Sequence, residues 1–116
     1  SLDWLEIPVT EKNNSHGYQS FPTLFKPEKI NMQNILNIND SRNKLMTSLF
    51  ERGISTRPAT HAVHMLEYYK NKYSLKPEDF PNAFIADHCS ISFPLFDGLK
   101  EEEQEYIIEE IKKSSI

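Results

Sequence analysis

The residues best suited to chemistry lie close together: Arg57, His61 and His64 fall in the run Arg57-Pro58-Ala59-Thr60-His61-Ala62-Val63-His64. A planar guanidinium matches a phosphate or carboxylate group. An imidazole near neutral pH exchanges hydrogen bonds with hydroxyls and phosphate oxygens. His61 and His64, three residues apart, would share a face of a helix. The plainer readings are a solvated surface cation for Arg57 and a backbone-satisfied histidine at a helix start for His64. Since the run holds no large aromatic or aliphatic anchor, polar groups gathered there serve a ligand more readily than a core, and the run is expected to be exposed at one edge of the domain. The same histidines with His88 and Cys89 follow no structural zinc spacing, so no metal site is predicted. Lys70 and Lys72 fall on the wet side of an amphipathic pattern, where an amine stays protonated and unreactive. Tyr68-Tyr69 reads as a packing pair, and Glu101-Glu102-Glu103 as charge at a helix N-terminus.

These side chains need a scaffold, and composition limits its size. A chain of 116 residues with 38% hydrophobic and 11% aromatic content can bury one modest core, which predicts a single domain over 1–116. A formal charge of -4 supplies no field to draw phosphate backbones or anionic lipid, which argues against nucleic acid and membrane as partners. No apolar run approaches the roughly 20 residues that cross a bilayer, and Ser1-Leu2-Asp3-Trp4 is not a secretory start. A cytoplasmic protein is expected. The lone cysteine, Cys89, reads as a small core residue and agrees with a reducing compartment. The start at Ser1 suggests a piece of a longer chain.

Trp4 to Val9 reads as a short extended piece, followed by a polar loop. Gly17–Phe25 is a strand with Phe21, Thr23 and Phe25 on one side; Pro22, lacking a backbone donor, points to an edge strand or a bulge. Residues 26–39, with four asparagines and no clean period, read as an irregular connection. Asp40-Ser41 then caps a helix over 42–52, with Leu45, Met46, Leu49 and Phe50 at helical spacing. Gly53 closes it in a left-handed C-terminal cap, with Ile54 folding back. Ile54–Thr56 is a short strand stopped by Pro58. A loop and helix through Tyr73 direct Met65, Leu66, Tyr69 and Tyr73 to the core. A helix over 82–89, a strand over 90–96, the turn Asp97-Gly98 and a helix over 100–113 with Leu99, Tyr106, Ile107 and Ile111 in a stripe complete the chain. This order predicts an α+β fold, a small, about three-stranded, mainly antiparallel sheet covered by helices.

Three segments together resemble the C-terminal small domain of the DegT/DnrJ/StrS family of sugar aminotransferases, of the aspartate-aminotransferase fold type. The first is Arg52-Gly53-Ile54-Ser55-Thr56-Arg57-Pro58-Ala59-Thr60-His61-Ala62-Val63-His64-Met65 followed by Tyr68-Tyr69. The second is Ser90-Ile91-Ser92-Phe93-Pro94-Leu95-Phe96 with Leu99 and the acidic helix. The third is His16-Gly17-Tyr18-Gln19-Ser20-Phe21, with Arg42 near the start of the next helix.

The resemblance implies the C-terminal part of an enzyme that moves an amino group from glutamate to a nucleotide-linked keto sugar, perosamine-like or another amino sugar, in polysaccharide biosynthesis. It also implies pyridoxal phosphate as electron sink, held by a large domain outside this chain, and a homodimer. The cofactor lysine would lie in that large domain. This chain would be inactive alone and act as a lid, with His64, Arg57 and His61 as substrate-binding residues. A stand-alone binding module that kept the fold and lost the chemistry is the alternative.

Overall fold

A computed structural model describes residues 2–114. Its strands are β1 (Leu5–Glu6), β2 (Phe21–Phe25) and β3 (Ser90–Phe93), and its α-helices are α1 (Ile35–Glu51), α2 (Glu67–Tyr73), α3 (Pro81–Cys89) and α4 (Glu101–Lys113). Short 3-10 turns at Val63–Met65 and Pro77–Asp79 precede α2 and α3. The sheet is antiparallel in the order β1-β2-β3, giving the expected α+β architecture. Among the described residues no helix is long and apolar enough to cross a membrane.

Alternation places Thr23, Phe25, Ile91 and Phe93 on one face of the sheet, where they meet Ile35, Ile38, Leu45 and Leu49 of α1, Phe84 and Cys89 of α3 and Ile111 of α4. Phe25, Leu49 and Ile91 are fully buried, each contributing on the order of 1.5–3 kcal/mol by removal from water. Cys89 sits in this core, and burial pushes its thiol up to about 11, so it stays an unreactive thiol near neutral pH.

Pro22 does not mark an edge. β2 is the central strand, and Pro22 is tolerated because β1 is too short to reach it: β1 pairs only with Leu24 and Phe25. The Lys26 amide donates to Trp4, so the even-numbered residues of β2 turn their amides towards β1, and the missing donor of Pro22 falls beyond the end of that strand. β2 also begins at Phe21 rather than Gly17, and β3 stops at Phe93, before Pro94.

The irregular connection expected over 26–39 ends early, because α1 begins at Ile35. The asparagines that resemble a loop are its start signal: the Asn31 side chain accepts from the amides of Gln33 and Asn34, and the Asn34 side chain accepts from the Asn31 amide. Ile35, Ile38, Arg42, Leu45 and Leu49 then form the buried stripe. Arg42 occupies a core position in it, which masks the periodicity. Its guanidinium donates to the carbonyls of Asp87 (2.7 Å) and Ser90 (3.1 Å), while Asn39 donates to that of His88 (2.8 Å), so α1 satisfies the open carbonyl end of α3. Burial lowers the Arg42 pKa from its ordinary value, with Cys89 and then Asp87 opposing that shift.

The other end of α1 closes as the sequence predicts. Gly53 has φ +80°, its amide donates to Phe50 (2.9 Å), and that of Ile54 donates to Leu49 (2.9 Å), the paired bonds of a Schellman cap. Arg52 fastens this corner to α4. Its guanidinium donates to the Glu110 carboxylate (2.8 Å) and to the Ser114 hydroxyl (3.1 Å), while the Tyr106 hydroxyl donates to the Arg52 carbonyl (2.8 Å). Hydrogen bonds from Lys113 and then Arg52 hold the Glu110 carboxyl below its ordinary pKa.

Candidate functional site

The segment after Gly53 does not become a strand at Ile54–Thr56. It meets the free edge of β3 at a single bridge, where Arg57 and Ser92 exchange backbone bonds of 3.3 and 2.7 Å. The pairing ends there, because Ala59, the next residue whose amide turns towards β3, donates to a side chain instead of a backbone carbonyl. Side chains then hold the loop against β3 and α3: Ser90 Oγ accepts from the Ala59 amide (2.9 Å), and Asp87 Oδ2 accepts from the Ala62 amide (2.9 Å). The loop is irregular yet tied at successive points, so the side chains it presents start from a fixed backbone.

The expectation that the whole run from Arg57 to His64 is exposed holds only for part of it. Arg57, Thr60 and His61 are exposed, whereas Ala62 and His64 are buried. His64 is 5% exposed: its Nε2 lies 3.3 Å from the Pro77 carbonyl, and its ring sits 5.2 Å from that of Phe80 and 6.4 Å from that of Phe84. The physical reason is that His61 lies before the 3-10 turn at Val63–Met65, in which successive side chains stand about 120° apart, so that the imidazole turns inward while Val63 points out. His61 and His64 therefore do not share an exposed face. His64 is enclosed by residues of this same chain.

The apolar side chains of α2 differ from expectation too, whereas Lys70 and Lys72 are exposed as expected. No residue of α2 is buried; Leu66, Tyr68, Tyr69 and Tyr73 are exposed, with Tyr68 and Tyr69 packed edge to face at 5.1 Å and the Lys72 amine 5.4 Å from the Tyr68 ring. Of the potential metal ligands, His88 Nδ1 lies 3.0 Å from the Phe84 carbonyl and Cys89 is in the core. Among the described residues no three acidic, histidine or cysteine side chains gather as a metal site.

Pyridoxal phosphate, implied by the resemblance, needs a lysine amine in a desolvated pocket. Every lysine here is exposed except Lys26, which is half-buried and ion-paired with Glu6. The residues of this chain do not by themselves fit that cofactor.

Sequence reasoning missed a polar cavity of about 330 Å³ beside Arg57, lined also by Gln19, Ser20, Ser55, Thr56 and Ser92. It forms where the approach to β2, the bridge residue and the end of β3 converge. Short hydroxyl side chains carry no recognisable spacing when drawn from three distant segments. An open apolar groove of about 500 Å³ lies on the other side of Phe93, between Phe21 and Ile107 of α4.

A family model for the DegT/DnrJ/EryC1/StrS aminotransferases matches residues 5–112. An uncharacterised protein of Methanocaldococcus jannaschii is 24% identical over 113 residues, which cover 97% of this chain and 27% of that protein. An apo-form structure from Streptococcus pneumoniae, assigned as a sugar aminotransferase, superposes with a TM-score of 0.77 at 21% identity, over 94% of this chain and 25% of that one. The chain thus spans about a quarter of the length of either relative. The match over most of the sequence, joined to a three-stranded sheet that presents the Gly53–Tyr69 segment at its edge, decides the assignment: the chain belongs to the DegT/DnrJ/EryC1/StrS aminotransferase family.

Proposed function

We propose that this chain is the C-terminal small domain of a pyridoxal-phosphate-dependent aminotransferase that passes an amino group from glutamate to a nucleotide-linked keto sugar, with the cofactor held by a large domain outside these residues. The observation that carries this reading is the family match over residues 5–112, with the Arg57 loop tied to β3 and α3 and still presenting Arg57 and His61. In this proposal the domain is a lid. Arg57 and His61 meet the sugar nucleotide, and His64 positions the loop through its contacts with Pro77, Phe80 and Phe84. The full enzyme is a cytoplasmic homodimer serving polysaccharide biosynthesis, with a perosamine-like 4-amino sugar as the product that Thr56-Arg57-Pro58 suggests.

Single-turnover kinetics on the longer enzyme that contains this chain test the reading, one half-reaction at a time. Arg57→Ala and His61→Ala are expected to slow amination of the keto sugar by about tenfold or more each, about 1.4 kcal/mol of transition-state stabilisation, and to leave the glutamate half-reaction nearly unchanged. Equal losses in both half-reactions would indicate impaired closure, and no loss in either would remove both residues from the substrate site.

A further inference from the structure

We propose that the cavity beside Arg57 is an oxyanion site, taking a phosphate or carboxylate group through the Arg57 guanidinium and the surrounding hydroxyls. The proposal deepens the reading of the Arg57 loop as substrate-facing and rests on it for biological meaning, though the cavity itself can be tested on this chain.

The three arginines frame the argument. Arg42 donates to two carbonyls at the end of α3, and Arg52 donates to Glu110 and Ser114. Among the described residues the Arg57 side chain has no hydrogen-bond or ion-pair partner, although the chain carries an excess of acids. A free guanidinium on an acidic protein, with no carboxylate in the cavity lining, is open to an external anion. The backbone that carries it is fixed, because Arg57 is bound to Ser92 in both directions.

The polar part of the remaining lining suits the same chemistry, with Phe93, Pro94, Leu95 and Phe96 forming the apolar wall. Gln19, Ser20, Ser55, Thr56 and Ser92 supply amide and hydroxyl donors from three segments around about 330 Å³. Thr56 adds an independent sign: among the described residues its Oγ1 is buried with no hydrogen-bond partner, whereas the other buried polar side-chain atoms are satisfied. Because it gives up no protein hydrogen bond, rotation about its Cα–Cβ bond can bring it towards an anion without a compensating loss. Arg57 would supply charge and Thr56 and the serines direction, which favours a group with several acceptor oxygens over a neutral ligand.

The test is a titration of the isotope-labelled chain with inorganic phosphate and, separately, with glutarate, followed by NMR at the Thr56 and Arg57 amides and the Arg57 Nε–H, with chloride at matched ionic strength as the baseline. Saturable shifts at these positions with at least one of the two anions are expected. They should be lost in Arg57→Gln, weakened several-fold in Thr56→Val, and retained in Lys44→Gln, which removes an exposed cation elsewhere. The unchanged spectrum of the core in each variant reports that it has folded. Phosphate preferred over glutarate assigns the site to the diphosphate of a sugar nucleotide, and the reverse assigns it to the amino donor. Shifts no greater than those from chloride, or shifts that persist in Arg57→Gln, overturn the proposal. If the titration saturates while Arg57→Ala leaves both half-reactions of the longer enzyme unchanged, the oxyanion site stands and the lid reading fails.

Discussion

Helices α1 and α2 both carry apolar side chains at helical spacing, yet the fold treats them in opposite ways. α1 buries Ile35, Ile38, Leu45 and Leu49, and even its interrupting polar residue, Arg42, serves the structure by satisfying the end of α3. α2 buries nothing, and Tyr68, Tyr69 and Tyr73 stay in solvent. The difference is one of length and attachment. Over 17 residues α1 repeats its stripe enough times to span the sheet, whereas α2, with 7, follows a tied loop that holds it away from the core. An amphipathic pattern thus shows that a face is available for burial, and connectivity decides whether this chain buries it.

Substitutions at three positions break or sharpen this contrast. Leu49→Ala, at a fully buried position of α1, is expected to cost about 2–5 kcal/mol, because the core around it cannot collapse fully onto the space. A denaturant midpoint near that of the parent would mean that α1 is not the principal packing helix. Gly53→Val should cost about 1–2 kcal/mol. An added Cβ would meet nothing within 4 Å, so the loss would come from the left-handed backbone at φ +80° alone; Gly53→Asn, which tolerates that region better, should recover part of it in the same melt. The smallest effect belongs to α2. Tyr73→Ser should change stability by no more than about 0.5 kcal/mol, as is usual for an exposed side chain. A cooperative loss of several degrees in Tm would show that the tyrosine face is partnered in solution.

The sheet-forming alternation of Phe21, Thr23 and Phe25, the Gly53 cap and the α4 stripe at Ile107 and Ile111 were legible because each is a local pattern with a local cause. Leu99 and Tyr106 belong to the same corner, with Tyr106 anchored through its hydroxyl and its ring largely exposed. The start of α1 was not legible, since asparagine side chains signal loops and caps alike and only their reciprocal bonds distinguish the two. Nor was the central place of β2: Pro22 excludes pairing on the side its missing amide faces, and the shortness of β1 leaves that side empty.

For the site, the sequence by itself determined that Arg57, His61 and His64 would lie close together after a helix closed by Gly53, and it carried the family resemblance. Tertiary structure alone decided which of them face outward. A turn of three residues sends His64 under Phe80 and leaves His61 in solvent, a choice made by packing against a segment that begins 13 residues away. It also brought Ser20, Thr56 and Ser92 around Arg57. Sequence spacing specifies which faces a single element offers, but a cavity exists only where separate elements stop short of one another. That gap depends on the register of β2 with β3 and on the single Arg57–Ser92 bridge.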